Sequence, residues 1–203
     1  MKIQSTWATV KYRTEENKQE PAFELLIADV DQLASTYPNR AEPKVWQGII
    51  RSSHAGTIGG LSALSNVKKA RDFLLAAKAI NDRALNGSIY TSLGALYAKV
   101  PGWPIAFGDD DIARELLEKA VEIDPDGLEP NFFYGEFLYE EGEYAEALKY
   151  LTIALAAPNR KNRELADAER KTVLQKLLAK VKQELSVKGA DPLSLGRSNS
   201  VDQ

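Results

Sequence analysis

The stretch LEPNFFYGEFLYEEGEYAEALKYLTIALAAP, Leu128 to Pro158, decides the fold. Tyr134 and Gly135 stand on a first helix, Ala147, Leu151 and Ala154 stand on a second, and Pro158 closes the pair. A glycine in such a pair lets two helices approach closely, and each alanine removes bulk where a neighbouring helix crosses. The spacing predicts an antiparallel helical hairpin, one unit of a repeating stack.

The same spacing recurs upstream. Ala113, Leu117, Ala120 and Pro125 repeat the second helix, and Tyr90, Leu93, Gly94 and Tyr97 repeat the first. Between Gly94 and Ala113 the chain carries about seven residues more than the unit needs, and the Pro-, Gly- and aromatic-rich segment Pro101 to Asp109 is read as the interrupting loop. A third unit places Val45, Trp46, Gly48 and Ile49 on its first helix and Ala70, Leu74 and Ala77 on its second. Its excess of about ten residues is assigned to the Gly-rich stretch Gly56 to Asn66, which is expected to form a second overlong turn.

Phe23, Leu26, Ile27, Val30, Leu33 and Ala34 form an apolar stripe at helical spacing, the second helix of a degenerate first unit, with Trp7 and Val10 on its partner. At the other end Leu165, Ala168, Val173, Leu174, Leu177, Leu178 and Val181 predict a long amphipathic helix that caps the last open face. The expected organisation is one all-α solenoid of four to five hairpins over residues 1–185. Residues 186–203 have the composition of a solvated tail without fixed structure.

These spacings resemble the tetratricopeptide repeat, a unit of about 34 residues folded as two antiparallel helices. The resemblance implies a scaffold that presents surfaces rather than an enzyme. The stretches Tyr90-Thr-Ser-Leu-Gly-Ala-Leu-Tyr97, Val100 to Asp109 and Asn131-Phe-Phe-Tyr-Gly-Glu-Phe-Leu138 further resemble a family of bacterial tetratricopeptide-repeat proteins of undefined activity. Members of that family typically begin with a cleaved export signal, which implies a periplasmic location for a chain whose leader has been removed. The long-looped hairpins are also distantly similar to the T component that accompanies some TRAP solute transporters.

Composition narrows the function classes. With no cysteine among 203 residues, disulfides and Cys-based zinc sites are excluded, and a single histidine, His54, excludes multi-histidine metal sites. The net charge of -3 hides an uneven distribution. Asp109 to Glu146 is strongly acidic and Pro158 to Lys182 is basic. The acidic middle argues against nucleic acid as a partner. Both segments read as solvated helix faces, with attraction of a cationic partner, or pairing with another copy, as the sharper alternative. No apolar run reaches the roughly 20 residues needed to span a bilayer, and Met1 to Thr9 lack the apolar core of a signal peptide, so the chain as written is expected in the cytoplasm.

Two candidate binding regions follow from the register. The concave surface is expected to carry Val45, Ile49, Ser52 and Ser53, then Thr91, Ala95, Ala98 and Lys99, then Phe132, Glu136, Tyr139 and Glu140. Such a groove would hold an extended peptide or a small amphipathic molecule, its carboxylates selecting positive charge, unless the chain's own terminal helix fills it. The second region is the edge on which the two overlong turns meet, with Trp103 and Phe107 as a lid or pocket wall. The alternative is that Trp103, Ile105 and Phe107 fold back over exposed helix ends.

Asp109, Asp110 and Asp111 read as an N-cap and first turn, not as metal ligands. Asp124-Pro-Asp-Gly127 reads as a turn, since the other ligands of a calcium loop are missing. His54 has no partner that would make a catalytic set and is expected to end its helix. No cofactor is expected. The reading is a non-enzymatic binding or scaffold module for a protein or peptide, with self-association open. The alternative is a solute-binding accessory of a transport system, its ligand under the edge loops.

Overall fold

The computed structural model describes residues 2–190, and among these it contains nine helices and no strand. Eight of them form four hairpins: α1 (Lys2–Arg13) with α2 (Glu16–Thr36), α3 (Ala41–Ile58) with α4 (Gly60–Ile80), α5 (Ser88–Lys99) with α6 (Asp110–Ile123), and α7 (Leu128–Glu140) with α8 (Tyr144–Ala156). The ninth, α9 (Glu164–Ala190), packs on α8 as the cap. It continues past Ser186, where composition predicts the start of a tail, and the rest of that segment lies outside the described residues.

One contact is repeated in three hairpins. A Cβ built on Gly48 would stand 2.5 Å from Leu74 Cγ, on Gly94 2.6 Å from Leu117 Cγ, and on Gly135 2.6 Å from Leu151 Cγ. The alanines one turn from these leucines, Ala70, Ala113 and Ala147, are fully buried against the same helices. A tyrosine adds a polar tie between units: Tyr90 donates to Asp82 at 3.1 Å and Tyr134 donates to Glu118 at 2.8 Å. Asp109 caps α6, its carboxylate accepting from Ile112 N at 2.9 Å, and Asp110 and Asp111 occupy the first turn, where the helix dipole favours negative charge.

The excess residues of the second hairpin form no loop, contrary to the expectation for Gly56 to Asn66. Instead α3 runs on to Ile58, the chain turns at Gly59 with φ 64°, and α4 starts at Gly60. Once a helix is nucleated each added residue gains a hydrogen bond at little cost, so Leu61-Ser-Ala-Leu64 prolongs α4 rather than unwinding. Both helices are thereby lengthened beyond the repeat. The excess of the third hairpin, by contrast, is a true loop, pinched at its base where Gly108 N donates to Pro101 O at 3.0 Å and Asp109 N to Tyr97 O at 3.1 Å.

The two ends of the stack meet. Ala166 of α9 is buried in the same apolar cluster as Trp7, Phe23, Trp46 and Ile50 of the first three helices. Arg13 pairs with Glu169 at 3.2 Å, and Gln4 Nε2 donates to Asn162 O at 3.4 Å. The concave side of the solenoid is therefore bridged by its own terminal helix.

Candidate binding cleft

Inside the curve lies a cleft of about 460 Å³. Its walls come from α1 (Trp7, Lys11), α3 (Ile49, Ser52, Ser53, Ala55, Gly56), α4 (Ala63, Leu64, Val67) and α5 (Ser88, Thr91, Ser92, Ala95, Leu96, Lys99). Val100 and Pro101, then Glu129 and Phe133 of α7, and Arg160, Arg163 and Arg170 complete it. The lengthened ends of α3 and α4 thus form a wall of the cleft, where composition alone predicts an overlong turn.

Of the residues predicted for the concave surface, Ile49, Ser52, Ser53, Thr91, Ala95 and Lys99 line the cleft. Val45 and Phe132 do not; both are fully buried in the core. They stand three residues before the hairpin glycine, as does Thr91, which is buried yet still reaches the cleft; one position on, Ser92 and Phe133 line it while Trp46 stays in the core. A register error of one residue on a helix rotates a side chain by about 100°, enough to exchange cleft for core. Tyr139 packs on Tyr144, with ring centroids 5.6 Å apart.

Neither Glu136 nor Glu140, predicted to make the groove acidic, lines the cleft. Glu136 and Glu140 are held by Lys99 at 2.8 and 3.9 Å. The cleft itself is lined by five cations and one carboxylate, Glu129. Glu129 is the hub of a network: Arg170 Nε lies 3.0 Å away, Arg160 Nη2 3.2 Å and Arg163 Nη2 3.6 Å. Burial pushes its carboxyl up, but Arg170, Arg160 and Arg163 outweigh that and hold it at about 2. Arg160 is shared with Asp167, a carboxylate with no exposed surface that also accepts from Arg160 N at 2.8 Å. Here the acidic middle and the basic end of the chain pair with each other inside one molecule.

Sequence reading misses Lys11, Glu129, Phe133, Arg163 and Arg170. Arg163 and Arg170 are seven residues apart, on one face with Ala166 and Leu174, which are buried. That interleaving of arginine with apolar positions is the available signal of an inward-facing basic stripe. Lys11 stands apart from the network: its Nζ lies 5.3 Å from the Trp7 ring and 5.6 Å from the Tyr12 ring. Burial first, and then Arg170, bring its pKa down from 10.5 to about 8.

The loop residues lie elsewhere. Trp103 is 90% exposed and Ile105 62%, so neither folds back over a helix end. Phe107 does pack, its ring 5.2 Å from Tyr97 and under the guanidinium of Arg71 at 4.4 Å. Neither Trp103 nor Phe107 lines the cleft, and the loop contributes Pro101 alone. His54 does not end α3, which continues to Ile58; it is buried beside Phe23, ring centroids 6.0 Å apart. Glu20 and Glu24 place their carboxylates within 4.8 Å of its ring nitrogens, but both acids are solvent-exposed.

Geometry defines the class as an all-α solenoid of tetratricopeptide-like hairpins. Residues 105–181 match the family model described as tetratricopeptide repeat, covering α6 to α8 and most of α9. The Gly48–Leu74 contact carries the same packing into α3 and α4, outside the matched segment. No curated protein matches the chain significantly. No helix among the described residues is long and apolar enough to cross a membrane.

Proposed function

We propose that this protein is a non-enzymatic binding module that holds a small ligand in its concave cleft. The observation that carries this reading is the cleft's size: where α9 meets α1 and the two ends of the stack come together, the concave side holds about 460 Å³, within the range of small-molecule sites. Serines and alanines form much of its lining, so the volume is not filled by the chain's own side chains. In this reading the solute sits on the concave side, between α3, α5 and α9, rather than beneath the edge loops. Export from the cytoplasm belongs to the same proposal and is supported by the family resemblance. A native gene lacking a leader before Met1 would count against it.

A second reading concerns protein partners. Tetratricopeptide repeats commonly mediate protein contacts, and Trp103 with Ile105 offers two large apolar side chains to solvent at the tip of a pinched loop. The loop and the cleft are separate surfaces, so the two roles are compatible.

The cleft reading is tested with the neutral fluorescent probe N-phenyl-1-naphthylamine. Binding should brighten the probe in the full chain, and Ser92→Trp or Ala95→Leu, which fill the cleft, should abolish the signal without moving the helical melting curve by more than a few degrees. Undiminished binding by both folded variants rules out the cleft as the site.

A further inference from the structure

The charges around the cleft do not balance. Lys11, Lys99, Arg160, Arg163 and Arg170 line it. Four carboxylates answer them: Glu129 and Asp167 take the three arginines, and Glu136 and Glu140 take Lys99. Lys11 is left over. Among the described residues it makes no ion pair: the faces of Trp7 and Tyr12 lie 5.3 and 5.6 Å from its ammonium group, and Glu129 and Glu136, each already paired with another cation, act on it only at longer range. A ring face attracts a cation but supplies no lone pair to replace lost water. A second donor is also unmet: Arg163 Nε is buried without an acceptor.

An uncompensated ammonium in a partly buried position is costly unless something negative completes the site. The low pKa of Lys11 has the same origin: burial and the positive charge of Arg170 disfavour its charged form more than Glu129 and Glu136 favour it. Opposite in character are the walls from α3, α4 and α5, where Ile49, Val67 and Leu96 present apolar surface. Between them Ser52, Ser53 and Ser92 supply hydroxyls. The cleft thus has a cationic end in which Lys11 has no ion pair, and an apolar end lacking contacts.

Resting on the reading of the cleft as a ligand site, we propose that its ligand is a small amphipathic monocarboxylate, with the carboxylate against Lys11 and Arg163 and the apolar body against Ile49, Val67 and Leu96. Over the whole cleft five cations face four carboxylates, and a monocarboxylate supplies the one charge that completes the count. The same head-group chemistry occurs in alkyl phosphates, which carry more charge near neutral pH.

The test is displacement of N-phenyl-1-naphthylamine from the full chain at pH 7 by octanoate, octanol and octyl phosphate. Octanoate should displace the probe at a concentration about tenfold or more below octanol, the gain expected of charge-assisted hydrogen bonding. Lys11→Met should remove most of that advantage, read as the ratio of octanoate to octanol displacement within the same variant, and Lys11→Arg should keep it. Equal displacement by octanoate and octanol, or an advantage that survives Lys11→Met, overturns the proposal while leaving the cleft reading standing. Tighter binding of octyl phosphate than octanoate overturns the assignment to a monoanion. If neither probe nor octanoate binds, by fluorescence or by calorimetry, both the proposal and the cleft reading fail.

Discussion

Gly94 lies directly beneath Leu117, so close that a methyl group on its Cα would stand 2.6 Å from the leucine Cγ and 3.3 Å from the carbonyl oxygen of Ala113. Gly94→Ala gains about 1 kcal/mol of helix propensity but must push α5 from α6, at an overpacking cost of about 1–3 kcal/mol. The net expectation is loss of stability. Gly56→Ala supplies the contrast, because nothing lies within 4 Å of its added methyl group and its φ is ordinary. That variant should gain up to about 1 kcal/mol. Chemical denaturation of the two proteins reads the difference, and a Gly94→Ala variant as stable as the parent would show that the close approach is not required.

The same pair shows what the sequence discloses and what it withholds. Gly48, Gly94 and Gly135 can be found by spacing because each must meet a leucine of the following helix, so three hairpins and their order are legible from that spacing alone. Lengthened helices are less legible: Gly56, Gly59 and Gly60 resemble a loop by composition, yet only Gly59 and Gly60 have positive φ. The cleft is legible where side chains are small, at Ser52, Thr91 and Ala95, since these follow directly from the register. Its charged end is not. Lys11 and Arg170 are 159 positions apart, and nothing local in either segment records that the stack curls until its ends touch.

Glu129 should be the most consequential acid in the chain. Its carboxyl is held at about 2 in the folded protein against 4.5 ordinarily, burial being outweighed by Arg170, Arg160 and Arg163. The folded state therefore binds this proton less readily than the unfolded one. The associated stability is complete above about pH 4.5 and is lost as pH falls toward 2. Glu129→Gln leaves three guanidinium groups facing one another and should cost about 3–5 kcal/mol at neutral pH. Urea titrations from pH 7 to pH 2.5 should show the gap between parent and variant narrowing as acid is added. A constant gap would mean that packing, not charge, sets the cost.

Trp103 and Phe107 divide the edge loop into an outward and an inward side. Trp103→Ala removes a side chain that is 90% exposed and should change stability by less than about 0.5 kcal/mol. Phe107→Ala loses the edge contact with Tyr97 and the stacked guanidinium of Arg71, and should cost about 1–3 kcal/mol. Thermal melts of both variants check the division, and equal losses would contradict it. If the loop tip serves a protein partner, Trp103→Ala should weaken that contact in a folded protein with probe binding in the cleft unchanged.

Lys11 should oppose the folding of the ligand-free protein that it equips for binding. Its pKa is about 8 when folded and 10.5 when free, so the unfolded chain holds this proton more tightly. The penalty is present in full below about pH 8 and disappears as pH rises toward 10.5, where lysine is neutral in both states. Lys11→Met should therefore be more stable than the parent at pH 7, by on the order of 1–3 kcal/mol, with the advantage shrinking across the alkaline window. Denaturant midpoints of the two proteins between pH 7 and pH 10.5 measure it directly. A variant less stable than its parent at pH 7 would show that the Lys11 stem contributes more through packing on Trp7 than its charge takes away. Ligand should act in the opposite sense: a monocarboxylate that completes the site raises the Lys11 pKa, takes up protons on binding near pH 8, and binds more weakly as the pH is raised further.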